Sequence, residues 1–321
     1  MALTKSVLVL RALGLGDLLT GVPALRAIRR GLPQHLLVLA APASVGSLLA
    51  RSDVVDRVLP TGDDLVSLDW RGPPPQVAVN LHGRGPQSHR LLQSLCPGRL
   101  VGFACPDADF AGPTWQPGEH EVRRWCRLVG DAGWTAHSNE LRLPLPDVAS
   151  RAPGAVVIHP GAAHGARRWP VERFAAVARW ARSHGHTVVV TGSADEVSLA
   201  GQLACLAGLP DSAVMAGSTD LAQLSALVAE SRLVVCGDTG MAHLASAFAT
   251  PSVVLFGPVP PSEWGPPDDG PHTAVWHDVE RTGSASRGDP FGDGVDPALV
   301  AITVEEVVAA VRHRLRQSAS R

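Results

Sequence analysis

Three short stretches gather the side chains able to do chemistry. In LRALGLGDLLTG, residues 10–21, Gly14 and Gly16 shape a turn and Asp17 follows at the start of a helix. The order of strand, glycine turn and helix suits a dinucleotide site, yet the third glycine of G-x-G-x-x-G would fall on Leu19. Asp17 also places a carboxylate where a pyrophosphate would sit. A carboxylate there suits general-base work on a hydroxyl approaching over the glycines; its plainer use is to cap the helix.

The second stretch is CGDTGMAH, residues 236–243, where a strand ends and Asp238-Thr239-Gly240 opens a helix. Main-chain N–H groups, the Thr239 hydroxyl and the helix dipole make a ready anion site. Capping by Asp238 or Thr239 is the alternative, but it leaves unexplained a glycine at the second helical position, which costs roughly 1 kcal/mol relative to alanine. A ligand lying close to the backbone would explain Gly240, and His243 is one turn further on. The third stretch is HPGAAHGARRWP, residues 159–170. Ala162 and Ala163 let a ligand lie against the main chain, and Arg167-Arg168 offers the guanidinium forks that grip phosphate, or else a solvated surface pair. The loop VNLHGRGPQ adds Asn80, His82, Arg84 and Gln87 as acceptor contacts or structural residues.

These stretches need strands to aim them. Uniformly apolar runs at 7–11, 36–40, 54–59, 77–81 and 100–103 alternate with helical patterns at 17–30, 44–51, 86–96 and 119–134, which predicts parallel strands buried on both faces. Residues 141–155 are Pro-rich and aperiodic, a linker. Beyond it come strands at 155–159, 187–191, 233–236 and 252–256, with helices at 171–184, 195–206, 221–230 and 241–249. The fold class is therefore α/β, two doubly wound halves that bind ligands at the carboxyl ends of their strands. Residues 277–297 form a polar loop, and a final amphipathic helix opens on the capping box Thr303–Glu306. Its Arg-rich end suits the helix dipole and solubility, with at most peripheral membrane contact.

Composition narrows the classes. The 321 residues are 45% hydrophobic and 18% charged with a formal net charge of −2, which argues against a nucleic-acid partner. Five scattered cysteines form no C-x-x-C pair, so neither a zinc site nor a disulfide framework is expected. No apolar run approaches the ~20 residues of a membrane span, and a cytoplasmic location follows as the expectation. Asp107-Ala108-Asp109 is the only D-x-D triplet and lies away from the anion-binding stretches, while the pairs Asp63-Asp64 and Asp268-Asp269 read as solvated turn charges. An anion-binding second half and a carboxylate in the first suit glycosyl transfer. Asp17 would deprotonate an acceptor hydroxyl attacking an anomeric carbon, and the second half would stabilise the departing diphosphate.

Over essentially its whole length the chain resembles glycosyltransferase family 9, heptosyltransferases that use ADP-heptose in lipopolysaccharide core assembly. The resemblance is carried by GLGDLLTGVPALRAIRR, HPGAAHGARRWPVERFAAVA, GSADE and, most specifically, GDTGMAHLASAFATPSVVLFGP. It implies a GT-B fold, two Rossmann-like domains facing across a cleft, with 1–148 on the acceptor side and 149–321 binding the nucleotide sugar. It also implies an inverting transferase without a metal or other cofactor, acting on a glycan or glycolipid acceptor. The family's catalytic base falls on Asp17. Its donor contacts fall on Ala162 and Ala163 (usually hydroxyl-bearing), on Asp195 or Glu196 at the ribose, near Ala216 and Gly217 at the base, and on Asp238, Thr239, Gly240 and His243. A lysine near the diphosphate is here Arg167, which keeps the charge but changes reach and leaves the donor less defined. Acceptor-side candidates are Arg11, Gly16, His82 and Arg84. A nucleotide-sugar epimerase of the same architecture and a non-catalytic nucleotide-sugar-binding protein are the alternatives; Asp17 and Leu19 disfavour a nicotinamide-dependent oxidoreductase.

Overall fold

The apolar run Ser6–Leu10 is buried from end to end, as a parallel strand with neighbours on both edges must be. In the computed structural model, which describes residues 5–50, 52–62, 64–279 and 287–318, this run is the central strand, β1, of a five-stranded sheet. β2 (Leu36–Ala41), β3 (Arg57–Pro60), β4 (Val77–Asn80) and β5 (Arg99–Val101) complete it in the order β3-β2-β1-β4-β5. Every pairing is parallel. Helices α1 (Leu15–Thr20), α2 (Val22–Gly31), α3 (Ala43–Ala50), α4 (Gln87–Gln93) and α5 (Glu121–Asp131) supply the coverage. The chain builds outward from β1 to β3, then returns to add β4 and β5 on the other side. Connections leaving β1 and β4 therefore diverge, and a crevice opens at their carboxyl ends.

The second unit repeats the device. β6 (Val156–His159), β7 (Val188–Val190), β8 (Leu233–Gly237), β9 (Ser252–Leu255) and β10 (His272–Val275) form a parallel sheet ordered β10-β9-β8-β6-β7. Here the reversal falls between β6 and β8. Helices α6 (Val171–Ser183), α7 (Val197–Ala207), α8 (Leu221–Ala229), α9 (Gly240–Phe248), α10 (Pro261–Trp264), α11 (Pro297–Ala301) and α12 (Val304–Ser318) accompany it. The chain divides into compact units Met1–Leu141 and Arg142–Arg321. That point and the join expected at 148/149 bound a stretch with neither helix nor strand.

Local chemistry explains where the elements depart from expectation. Because Pro23 in the first turn of α2 has no N–H to donate back into α1, the single helix expected over 17–30 is two, parted at Gly21. A Cβ there would lie 2.9 Å from Arg11 Cδ and 3.3 Å from the Leu18 carbonyl oxygen, so only glycine admits the Arg11 side chain. The strand expected at 54–59 starts at Arg57. β10 has no sequence counterpart, being a four-residue edge strand after a Pro/Gly-rich run. The final capping box forms as expected: Thr303 N donates to Glu306 Oε2 at 2.8 Å and Glu306 N to Thr303 Oγ1 at 3.2 Å. Val307, Val311 and Leu315, the apolar face of α12, are buried in the core of the second unit, so that face is not on offer to a membrane. No described helix is long and apolar enough to cross a membrane. Arg51, Asp63 and residues 280–286 lie outside the described residues.

His272 on β10 carries a pH-dependent part of the stability. Its Nδ1 lies 2.9 Å from Ser252 Oγ. Burial, and secondarily Arg314, push its pKa down from 6.5 to about 4, with Asp269 pulling the other way. The unfolded chain binds this proton near pH 6.5 and the folded chain only near 4, so the contribution is complete above 6.5 and is lost on acidification towards 4. Urea midpoints measured at about pH 7 and about pH 4.5 should fall further in wild type than in His272→Gln; equal falls would remove His272 from the account.

Candidate functional site

The carboxyl end of β1 continues into Arg11 and the glycine turn. Gly14 is the N-cap of α1, without a side-chain cap, and Asp17 is the third helical residue. The Asp17 carboxyl is half-buried. Its pKa is raised above the ordinary 3.8, chiefly because burial disfavours the charge; Arg11 opposes the shift, Glu121 adds to it, and the N–H groups of Asp17 and Gly14 oppose it more weakly. Asp17 is therefore not the N-cap, and its surroundings favour holding a proton. A carboxyl so placed is able to take up a proton from a hydroxyl beside it.

Arg11, an acceptor-side candidate by sequence, is instead wholly buried. Its guanidinium donates to the main-chain oxygens of Asp17 and Leu81, to Thr20 Oγ1 at 2.9 Å and to Glu121 Oε1 at 3.3 Å, and lies 4.7 Å from the centre of the Trp125 ring. No face remains for a substrate. Glu121 and Trp125 were not singled out by sequence because they stand 110 or more residues from Arg11 on a helix with an ordinary amphipathic pattern.

Beside this turn lies the loop after β4. Asn80 is fully buried; its amide donates to Ser88 Oγ at 2.9 Å, lies 3.0 Å from His89 Nδ1, and its oxygen accepts from His82 N at 3.0 Å. His89 Nε2 donates to the Phe103 oxygen at 2.9 Å. Asn80 is thus a staple for the loop, whereas His82 and Gly16 are half-buried and Arg84 and Gln87 are exposed at its rim.

In the second unit the two stretches expected to bind an anion are neighbours, because β6 and β8 pair with His159 opposite Cys236. A Cβ on Gly237 would lie 3.1 Å from the Arg167 carbonyl oxygen, so the two loops touch through their backbones. Arg167 ends the short 3-10 helix Gly165–Arg167. It is half-buried, and its Nε, screened from solvent, has no hydrogen-bond partner among the described residues. Arg168 differs: it is exposed and its Nε donates to the Ala162 oxygen at 2.9 Å. The arginine pair thus divides, one side chain bracing the loop and the other holding a donor in reserve. Ala162 is buried and Ala163 exposed.

Thr239 is the N-cap of α9, its hydroxyl accepting from Met241 N at 3.3 Å; Gly240 is therefore the first helical residue, not the second. Asp238 is buried, its N–H donating to the Leu255 oxygen at 3.1 Å. Burial, and then Asp238, push the neighbouring Cys236 thiol up, so it stays protonated. His243 is buried with its ring edge-on to Trp264 at 5.7 Å.

Glu196 closes the capping box of the 3-10 helix Ala194–Glu196, where Ser193 N donates to its Oε2 at 2.8 Å. A Cβ on Gly161 would fall 2.1 Å from Glu196 Oε1. The Pro-Gly loop and the Glu196 carboxylate therefore pack directly together, while Asp195 is exposed. Gly217, at φ +68, turns the chain where a Cβ would press on Val197, and Ala216 beside it is buried. One residue escaped the sequence reading. His159 ends β6 with Nδ1 3.1 Å from Thr191 Oγ1, its imidazole held below the ordinary histidine value by burial against the pull of Glu196 and Thr191. Its position as the last strand residue before Pro160-Gly161 was the available signal. Among the described residues no three His, Cys, Asp or Glu side chains gather as metal ligands would. Asp107 and Asp109 lie at the 3-10 helix Pro106–Ala108.

Residues 116–293 match the model of glycosyltransferase family 9 (heptosyltransferase). The chain is 24% identical to lipopolysaccharide heptosyltransferase 2 of Escherichia coli strain K12, over 97% of this chain and 99% of that protein. It is 28% identical to lipopolysaccharide heptosyltransferase 1 of Pseudomonas aeruginosa PAO1, over 81% and 80%. Its fold matches that of E. coli ADP-heptose lipopolysaccharide heptosyltransferase II with a TM-score of 0.78 at 22% identity, covering 98% of this chain and all of that one (100%). The fold is GT-B.

The contact between Gly161 and Glu196 is open to test in the unliganded protein. Gly161→Ala should cost about 1 kcal/mol in wild type and close to nothing in a Glu196→Ala background, a coupling typical of touching residues. Urea denaturation of the four proteins reads it, and additive effects would mean that Glu196 does not occupy the Gly161 face.

Proposed function

We propose that this chain, which belongs to glycosyltransferase family 9, is an inverting heptosyltransferase moving a heptose from ADP-heptose onto a hydroxyl of a lipopolysaccharide core glycan or glycolipid. The observation that carries the reading is a division of charge between the two strand-order reversals. The β1/β4 crevice holds a carboxyl with a raised pKa, and at the β6/β8 reversal the Arg167 loop lies backbone to backbone against the turn that opens α9. The first arrangement suits a base and repels phosphate; the second suits a diphosphate.

In the proposed reaction the acceptor oxygen attacks the anomeric carbon and its proton passes to the Asp17 carboxylate. The bond from that carbon to the diphosphate breaks, and the electron pair leaves on the diphosphate oxygen. Attack opposite the leaving group inverts the centre. Burial makes Asp17 a stronger base than an exposed aspartate, and the acid limb of kcat/KM is expected above its ordinary 3.8. Arg167, the Thr239–Gly240 helix start and His243 stabilise the departing charge; Glu196 takes the ribose, Ala216 and Gly217 the base, and Ala162, Ala163 and Asp238 line the donor. Gly16, His82 and Arg84 serve the acceptor. The five cysteines are all unpaired, which suits work in the cytoplasm, at most in peripheral contact with a membrane.

The two crevices separate in a crossed experiment. Asp17→Asn should lower turnover by ~10²–10⁴-fold while ADP affinity stays as in wild type. Arg167→Ala should weaken ADP by roughly 1.5–3 kcal/mol. Mass spectrometry of the product from ADP-heptose and a heptose-truncated lipopolysaccharide, with calorimetry for ADP, reads both. Normal turnover in Asp17→Asn would remove the base, and unchanged ADP affinity in Arg167→Ala would move the diphosphate elsewhere.

Because fixed protein groups are assigned the leaving charge, turnover should persist in excess EDTA. Loss of activity there, restored by Mg²⁺ or Mn²⁺, would overturn the metal-independent mechanism.

A further inference from the structure

The buried pair Arg11 and Glu121 has no part in the chemistry above, yet its hydrogen bonds converge on the residue that carries the base. The main-chain oxygen of Asp17 accepts from Arg11 Nε, from Thr20 Oγ1 at 2.8 Å and from Gly21 N at 3.3 Å. Thr20 Oγ1 in turn accepts from Arg11 Nη2 at 2.9 Å. The same guanidinium donates to the oxygen of Leu81, the first residue after β4, and meets Glu121 Oε1 at 3.3 Å. Glu121 is itself held by Trp125 Nε1 at 2.7 Å and by Arg124. One planar group thus ties together the turn bearing Asp17, the loop after β4 and α5. Gly21 is part of the device, since a Cβ there would strike Arg11 Cδ at 2.9 Å and Nε at 3.0 Å.

We propose that Arg11 and Glu121 are positioning residues for the Asp17 carboxyl: Arg11 immobilises the backbone of Asp17, and Glu121 holds Arg11 and offsets its charge. The proposal rests on reading Asp17 as the base. A lysine cannot reproduce it, because one ammonium group cannot address acceptors on three elements in a fixed plane. The charge balance matters as much as the geometry. The charged groups that act on Asp17 are Arg11, from the turn after β1, which favours the carboxylate, and Glu121, from α5, which opposes it. Neutralising Glu121 should therefore move the Asp17 titration to lower pH.

The full-length chain labelled with ¹³Cγ-aspartate tests this, the Asp17 signal being identified by its loss in Asp17→Asn. In Glu121→Gln, which keeps an oxygen for Arg11 and Trp125, Asp17 is expected to titrate at lower pH than in wild type. In Arg11→Lys, kcat should fall on the order of 10²-fold while ADP affinity and donor KM change by less than about twofold. Should Arg11→Lys not fold, Thr20→Val removes the hydroxyl relay, and kcat is then expected to fall about tenfold, again without loss of ADP affinity. An Asp17 titration in Glu121→Gln that superimposes on wild type overturns the proposal. So does a fall in kcat matched by an equal fall in ADP affinity, which marks general damage, or an unchanged kcat in the variant that folds. Normal turnover in Asp17→Asn is a separate outcome: it removes the base, while the ¹³C titration still decides whether Glu121 acts on Asp17.

Discussion

A parallel sheet cannot be extended in both directions without the chain jumping back past its first strand, and the function of this molecule hangs on that constraint. The strands beside the jump send their connections to opposite sides, leaving an opening at their carboxyl ends. In the first sheet the jump separates β1 from β4, and in the second β6 from β8. The turn bearing Asp17 and the loop of His82 and Arg84 leave the first pair. The Pro160–Gly161 loop and the Asp238–Thr239 turn leave the second. Strand ends 70 or more residues apart, Leu10 with Asn80 and His159 with Cys236, become neighbours through the sheet pairing and bring these turns with them.

The same scaffold serves opposite electrostatics. The second unit carries the N-terminus of α9 and the half-buried Arg167, with the buried Asp238 at the same turn. In the first, burial works against the charge of Asp17, and Arg11 only partly compensates, since Glu121 neutralises part of its field. The glycine turn there ends at a carboxyl group, where the similar turn of a dinucleotide site faces a phosphate.

Burying Arg11 and Glu121 is not cheap. A buried ion pair often contributes little net stability over apolar packing, whereas removing one partner costs on the order of 3–5 kcal/mol. A leucine and a methionine of similar volume would fill the space. What they could not do is accept and donate across the turn, the loop and α5 at once, so the pair makes sense as a means of fixing geometry. His89 does the same service nearby, joining Asn80 to the Phe103 carbonyl.

Much of this was legible in the sequence. The uniformly apolar runs require parallel strands, Gly14-x-Gly16-Asp17 sets a carboxylate in the first turn of a helix, and the Thr303–Glu306 box marks the last helix, because each is a property of residues close together in the chain. Other features were decided only by tertiary structure. The Arg11 side chain fills the space beside Gly21; the pairing of β6 with β8 sets Arg167 beside Gly237; the Glu196 carboxylate packs on the open face of Gly161; and Arg11 is wholly buried. These depend on which distant segments meet and on how much water they exclude. Periodicity and motif spacing describe the chain one neighbourhood at a time, while burial and long-range hydrogen bonds exist only once the sheets have closed their order.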